Sequence, residues 1–177
     1  MPASSNNIVL IGMPGAGKST LGVVLAKILN KDFVDGDLVI QRTCGNTLQT
    51  VIDNEGPEAF IALEGRVLSG LEADNTVIAT GGSAIYSPGA MAHLATLGTI
   101  VYLEISYESL LERLSDLHER GVVMKDGMSM SLRDLYNERK SLYEKYADAI
   151  VNVDDLTITA AARKVANAIP SAELGSN

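Results

Sequence analysis

The stretch Gly12-Met13-Pro14-Gly15-Ala16-Gly17-Lys18-Ser19-Thr20 satisfies G-x-x-x-x-G-K-[ST] and decides the reading of the chain. It lies between a short apolar run, Ile8–Ile11, and a segment whose apolar residues Leu21, Val24, Leu25 and Ile28 recur at helical spacing. That is the strand–loop–helix setting the motif requires. The glycines let the backbone curl so that successive N–H groups, from Gly15, Ala16 and Gly17 on to Ser19 and Thr20, face one anion. The helix that follows adds the positive end of its dipole. Lys18 is then expected to reach the β- and γ-phosphates of a nucleotide, and Ser19 to ligate Mg²⁺.

The rest of the composition fits a small-molecule site rather than a macromolecular one. The chain has 177 residues, 46% hydrophobic and 20% charged, enough for one well-buried core and one domain, 1–177. Fourteen Lys plus Arg against 22 Asp plus Glu give a formal net charge of -8. A nucleic-acid binder needs a basic surface, so none is expected as partner, whereas a local cluster can still hold a small anion. Cys44 is the single cysteine, which excludes an intrachain disulfide and a Cys-rich metal site. The first residues lack the basic start and apolar run of a secretory signal, and no apolar stretch reaches the roughly 20 residues of a membrane span. A cytoplasmic monomer with no membrane partner is expected.

Short β-branched runs alternate with helical stretches, the pattern of a parallel α/β sheet. The expected strands are Ile8–Ile11, Asp32–Asp35, Thr76–Ala79, Thr99–Glu104 and Ala149–Val153, mostly apolar without alternation, as suits strands covered on both faces. Helical stripes follow Lys18, follow Pro57 (Phe60, Leu63, Val67, Leu68, Leu71), and follow a capping Ser106 (Leu110, Leu111, Leu114). Ser131 to Tyr146 and Leu156 to Ile169 supply two more. The segment 119–130 carries two glycines, three methionines and no clear period, and its length predicts a lid. Residues 171–177 read as a solvated tail.

The phosphate loop alone does not choose among a kinase, a GTPase, a motor and a binding module. No N-K-x-D guanine motif is present, and the chain is small for a motor. Asp35-Gly36-Asp37 follows the second strand, at the sheet edge where ligands bind in doubly wound folds. One carboxylate there is suited to orienting Mg²⁺ through water, the other to accepting a hydroxyl proton. Asp-Gly is also strong turn chemistry. Gly81-Gly82-Ser83 follows the third strand and offers backbone N–H groups at the same edge, or simply a tight turn. Arg113, Arg120 and Arg139 are three cations near the late helices and the expected lid.

From about Ile8 to Val153 the sequence resembles the shikimate kinase family. The resemblance rests on the Gly-Lys-Ser loop, Phe33-Val34-Asp35-Gly36-Asp37, Phe60-x-x-x-Glu64 and Val77-Ile78-Ala79-Thr80-Gly81-Gly82. It continues through Val101-Tyr102-Leu103, Leu110-x-x-Arg113, Arg120 and Glu138-Arg139-x-x-Leu142-Tyr143 to Ala147-Asp148. It implies a P-loop fold of the nucleoside-monophosphate-kinase type, with a five-stranded parallel sheet ordered 2-3-1-4-5 and a moving lid. It implies ATP and Mg²⁺, with Asp35 serving the metal, Asp37 the acceptor hydroxyls, and Gly81 and Gly82 the substrate. Arg113 would lie over adenine, Arg120 would reach the phosphates from the lid, and Arg139 would hold a carboxylate. Lys18, Asp37 and Arg120 are thus the expected catalytic groups.

The sequence departs from the family's pattern at four places, of which Ile61 bears most directly on the acceptor. The family's F-R-x-x-E arginine is Ile61 here, in the place of a carboxylate-binding residue; the third glycine of G-G-G is Ser83. The lid's R-P-L-L reads Arg120-Gly121-Val122-Val123, and the proline of R-x-P-L-Y is Ser141. The expected activity is phosphorylation of a hydroxyl on a small carboxylate-bearing metabolite, with shikimate as default acceptor. The alternatives are a different acceptor such as homoserine, a sugar acid, or a nucleotide-binding sensor without turnover.

Overall fold

The computed structural model describes residues 6–114 and 131–170. Five strands, β1 (Asn7–Ile11), β2 (Asp32–Asp35), β3 (Thr76–Ala79), β4 (Gly98–Glu104) and β5 (Ala149–Asn152), form one parallel sheet ordered β2-β3-β1-β4-β5. Each lies within one residue of its expected bounds. The apolar runs have the predicted cause: β1 and β3 are buried along their whole length, whereas the edge strands β2 and β5 are partly exposed.

The helices are α1 (Lys18–Leu29), α2 (Gly36–Cys44), α3 (Leu48–Ser69), α4 (Pro88–Leu97), α5 (Tyr107–Leu114), α6 (Leu132–Tyr146) and α7 (Ile158–Ala168). Their starts follow local chemistry. Asp35, Thr47, Ser87, Ser131 and Thr157 each cap a first turn through a side-chain oxygen, and Pro88 occupies the first turn of α4. Ser109 N–H donates to Ser106 Oγ at 3.2 Å, as the sequence predicts for α5. Helix α3 breaks at Gly56 (φ 86°, ψ 167°), so Pro57 opens its second half without breaking a helical hydrogen bond. Helices α2 and α4 and the first half of α3 have no counterpart among the expected elements. The α1 stripe is narrower than its spacing suggests: Leu21 and Leu25 are buried, but Ile28 is 40% exposed.

The main core joins both sheet faces to α1, α4, α6 and α7, and a smaller cluster of Ile40, Val51 and Phe60 lies between α2 and α3. Leu10 of β1, Ala79 of β3 and Asp35 of β2 stand in one row across the sheet. The three loops that follow them therefore leave at the same level, beside the point where strand order reverses between β1 and β4. Among the described residues no helix is long and apolar enough to cross a membrane.

Candidate active site

The loop after β1 has the backbone an anion site needs. Gly12, Gly15 and Gly17 adopt φ of 150°, 87° and 89°. At Gly12 a Cβ would also meet the Leu103 carbonyl oxygen at 2.7 Å, so a side chain is excluded on two grounds. Helix α1 begins at Lys18 with no side-chain cap and no acidic residue in its first turn, leaving its end positive and open. Ser19 and Thr20 stand exposed there.

Lys18 is buried, and its Nζ donates to Gly12 O at 2.7 Å and Met13 O at 2.9 Å. Burial pushes its pKa down to about 8, while Asp37, Glu64 and Asp35 pull upward and Arg139 adds to the depression. Arg113 reaches the loop from α5, donating to Gly15 O at 3.0 Å.

Asp35 and Asp37 are set by the start of α2 rather than by an isolated turn. Asp35 is its N-cap, and Asp35 Oδ1 accepts from Asp37 N–H at 3.0 Å. Gly81 and Gly82, after β3, form a bare cradle. A Cβ on Gly81 would lie 2.5 Å from Glu64 Oε1 and 2.9 Å from Asp37 Oδ1. A Cβ on Gly82 would lie 2.8 Å from Pro14 and 3.0 Å from Arg139 Nη1. The absence of both side chains lets two carboxylates and a guanidinium converge, and brings the cradle against the phosphate loop at Pro14.

The cradle is held from behind. Tyr143 donates from its hydroxyl to Gly82 O at 2.7 Å, and its ring stacks on Tyr102 at 5.0 Å between centroids. Arg139 is 1% exposed, and its Nε donates to the Tyr86 hydroxyl at 3.4 Å. That hydroxyl in turn donates to Glu138 Oε1 at 2.8 Å. Arg139 is therefore presented as an oriented, nearly dry guanidinium, the form best suited to a carboxylate.

The family profile of shikimate kinase matches residues 14–170. The chain belongs to the shikimate kinase family. It is 40% identical over 163 residues to the shikimate kinase of Francisella tularensis subsp. holarctica strain FTNF002-00 / FTA, covering 91% of this chain and 93% of that one. The shikimate kinase of Acinetobacter baumannii, solved in complex with shikimate, superposes with a TM-score of 0.82 at 33% identity over 91% of this chain and 90% of that one. The Aquifex aeolicus enzyme gives 0.76 at 31% identity, over 92% and 95%. Membership makes the chain a small-molecule kinase, and its sheet order is the one the resemblance implied.

Against this shikimate kinase frame, the structure brings Lys18, Asp35, Asp37, Gly81, Gly82 and Arg139 into one electrostatic neighbourhood. Arg113 sits on the phosphate loop. Ile61 is half-buried on α3 and packs against the Ile40, Val51 and Phe60 cluster, one turn before Glu64. Arg120, the expected lid at 119–130 and the tail at 171–177 lie outside the described residues.

Glu64 itself had no role assigned from sequence. It is 1% exposed, its Oε2 accepts from Ser83 Oγ, and its Oε1 has no hydrogen-bond partner among the described residues. Burial pushes its pKa up to about 7, with Asp37 adding to the rise and Ser83, Arg139 and Lys18 opposing it. The signal was present: a carboxylate midway between buried Phe60 and Leu68, four residues from each, stands on the apolar face of the helix.

Proposed function

We propose that this chain is an ATP-dependent shikimate kinase. The observation that carries the reading is the Gly81-Gly82 cradle, bordered by Asp37 and Arg139 and pressed against the phosphate loop at Pro14. A carboxylate on Arg139 turns the acceptor's hydroxyls toward Asp37. Asp37 takes the hydroxyl proton as the oxygen forms its bond to the γ-phosphorus; the bond to the β–γ bridging oxygen breaks and ADP leaves. Lys18, released from Gly12 O and Met13 O, neutralises charge on the transferred group. Arg113 and the loop N–H groups from Gly15 to Thr20 hold the nucleotide, and Arg120 is assigned to the phosphates.

The donor set at the start of α1 and α2 fits Mg²⁺, which keeps several waters and takes few protein ligands. Ser19 and Asp35 would hold it. When bound it would shield the phosphate oxygens from the attacking hydroxyl.

Release of ADP measured with and without shikimate tests the reading. Shikimate-dependent release, with a phosphorylated product by mass spectrometry, is expected; release indifferent to shikimate would contradict it. A second reading, a hydroxy amino acid such as homoserine, is favoured by one observation. Two carboxylates border Gly81, and Ile61 supplies no second cation.

Ile61→Arg separates the two. The new stem can lie along the apolar cluster while its head reaches Glu64. With shikimate as acceptor, KM should fall at least about tenfold, the worth of one charged hydrogen bond. With an ammonium-bearing acceptor, kcat/KM should fall instead. Unchanged values for both would leave Ile61 as a packing residue.

The pKa of Lys18 predicts a pH effect on the free enzyme. Below about 8 the amine is charged and attracts phosphate; above it the charge is lost. kcat/KM for ATP should therefore fall as pH rises through about 8, while kcat at saturating ATP holds to higher pH because bound phosphate recharges the amine. A kcat/KM profile flat to pH 9.5, roughly well past that value, would remove Lys18 from ATP capture.

A further inference from the structure

We infer that Tyr86 is a positioning residue for the acceptor's carboxylate: its hydroxyl, backed by Glu138, holds the Nε side of Arg139 and so turns the Nη edge of the guanidinium to the Gly81-Gly82 cradle. The inference rests on the proposed kinase reading, in which Arg139 receives that carboxylate. Its own ground is a chain of three side chains. Arg139 Nε donates to the Tyr86 hydroxyl at 3.4 Å, and that hydroxyl donates to Glu138 Oε1 at 2.8 Å. The guanidinium carbon also lies 5.4 Å from the centroid of the Tyr86 ring.

Glu138 and Arg139 are neighbours on α6, and neighbouring side chains leave a helix about 100° apart. Arg139 points inward at 1% exposure, while Glu138 stands half-buried at its flank. Tyr86 closes the short 3-10 turn Ala84–Tyr86 that follows the cradle, where its N–H donates to Ser83 O at 3.0 Å. The phenol therefore bridges carboxylate and guanidinium from the same stretch of backbone that forms the cradle. Burial pushes its pKa up against the pull of Arg139, and Glu138 adds to the rise, so the hydroxyl keeps its hydrogen. With that hydrogen given to Glu138, the oxygen has only lone pairs to offer Arg139, and the charge behind it strengthens them. This offsets the length of the Nε contact.

A guanidinium can meet a carboxylate along two edges, Nε with Nη2 or Nη1 with Nη2. Tyr86 engages Nε and so takes the first. The second is turned to the cradle, with Nη1 3.0 Å from the point where Gly82 would carry a Cβ. Orientation matters more here because Ile61 supplies no second cation. A single guanidinium makes its full bidentate contact when its plane is fixed before the ligand arrives.

The test is acceptor affinity by calorimetry in the presence of ADP, for wild type, Tyr86→Phe, Arg139→Lys and the double variant, with shikimate and its carboxamide. Phenylalanine keeps the ring against the guanidinium and removes only the hydroxyl. Tyr86→Phe should weaken shikimate about tenfold, the worth of a hydrogen bond to a charged group, and leave the carboxamide within about twofold. In the Arg139→Lys background the same change should cost about threefold or less, because lysine lacks the fork that Tyr86 orients. Turnover at saturating acceptor and affinity for ADP should both stay within about twofold of wild type. Equal weakening of shikimate and carboxamide would make Tyr86 a packing residue and overturn the inference. So would a loss of about tenfold that persists in the Arg139→Lys background. Shikimate affinity unchanged in Tyr86→Phe overturns it as well. Should Tyr86→Phe fail to fold, Glu138→Gln, which keeps an acceptor for the phenol and removes its charge, must weaken shikimate about threefold and spare the carboxamide. If homoserine is the bound acceptor, the same split is expected between homoserine and its carboxamide. ADP release dependent on shikimate but with no Tyr86 effect overturns this inference alone. Binding of neither carboxylate acceptor to wild type overturns it together with the proposed function.

Discussion

Lys18→Ala lowers kcat by a factor on the order of 10³, the largest effect expected from a single substitution in this chain. In the resting protein the amine is buried and satisfied by two loop carbonyls, Gly12 O and Met13 O. Its charge is held there against desolvation, which is why its pKa falls to about 8. Phosphate is a better partner than two carbonyls, so the amine transfers to the nucleotide and follows the charge as it develops. Alanine removes that charge from a site largely closed to water, where no solvent ion replaces it. Stability should move little, because a costly buried charge leaves along with its bonds. A shift in Tm below about 4 °C is expected for a chain of this size. Turnover within about tenfold of wild type would remove Lys18 from the transfer step.

The second large effect is at Arg139. Arg139→Leu should raise the acceptor KM about a hundredfold, and Arg139→Lys about tenfold, with KM for ATP within about threefold of wild type in both. The asymmetry follows from geometry. The guanidinium is 1% exposed and is oriented by Tyr86, with Nη1 facing Gly82. Lysine restores the charge without the planar fork, so it recovers part of a bidentate carboxylate contact and not the rest. Equal losses for lysine and leucine would mean that shape rather than charge is recognised. Equal effects on the KM values of ATP and acceptor would mean that Arg139 serves the nucleotide. Thermal unfolding in parallel separates either result from misfolding.

The phosphate loop and the sheet were legible for local reasons. Glycines with φ near 90°, a lysine and two hydroxyl residues are a contiguous string, and their function is written in backbone geometry that the string itself dictates. Strand bounds came from uninterrupted apolar runs, which arise when both faces of a strand are covered. Helix α4 was not legible, because its ten residues carry no Lys, Arg, Asp or Glu and so no clear polar face for periodicity to find. Helix α2 was hidden behind Asp35-Gly36-Asp37, where an N-cap and a turn use the same residues.

The acceptor side was legible only as a set of candidates. Asp37, Gly81 and Arg139 could be picked out one by one, but their convergence depends on contacts between residues more than forty positions apart along the chain. Glu64 shows the limit most clearly. Nothing adjacent to it in sequence says that one oxygen meets Ser83 and the other has no hydrogen-bond partner among the described residues. Those two facts are set by how α3 packs on the turn after β3. A carboxylate's partners and proton affinity belong to its surroundings in space, and no local pattern of residues specifies them.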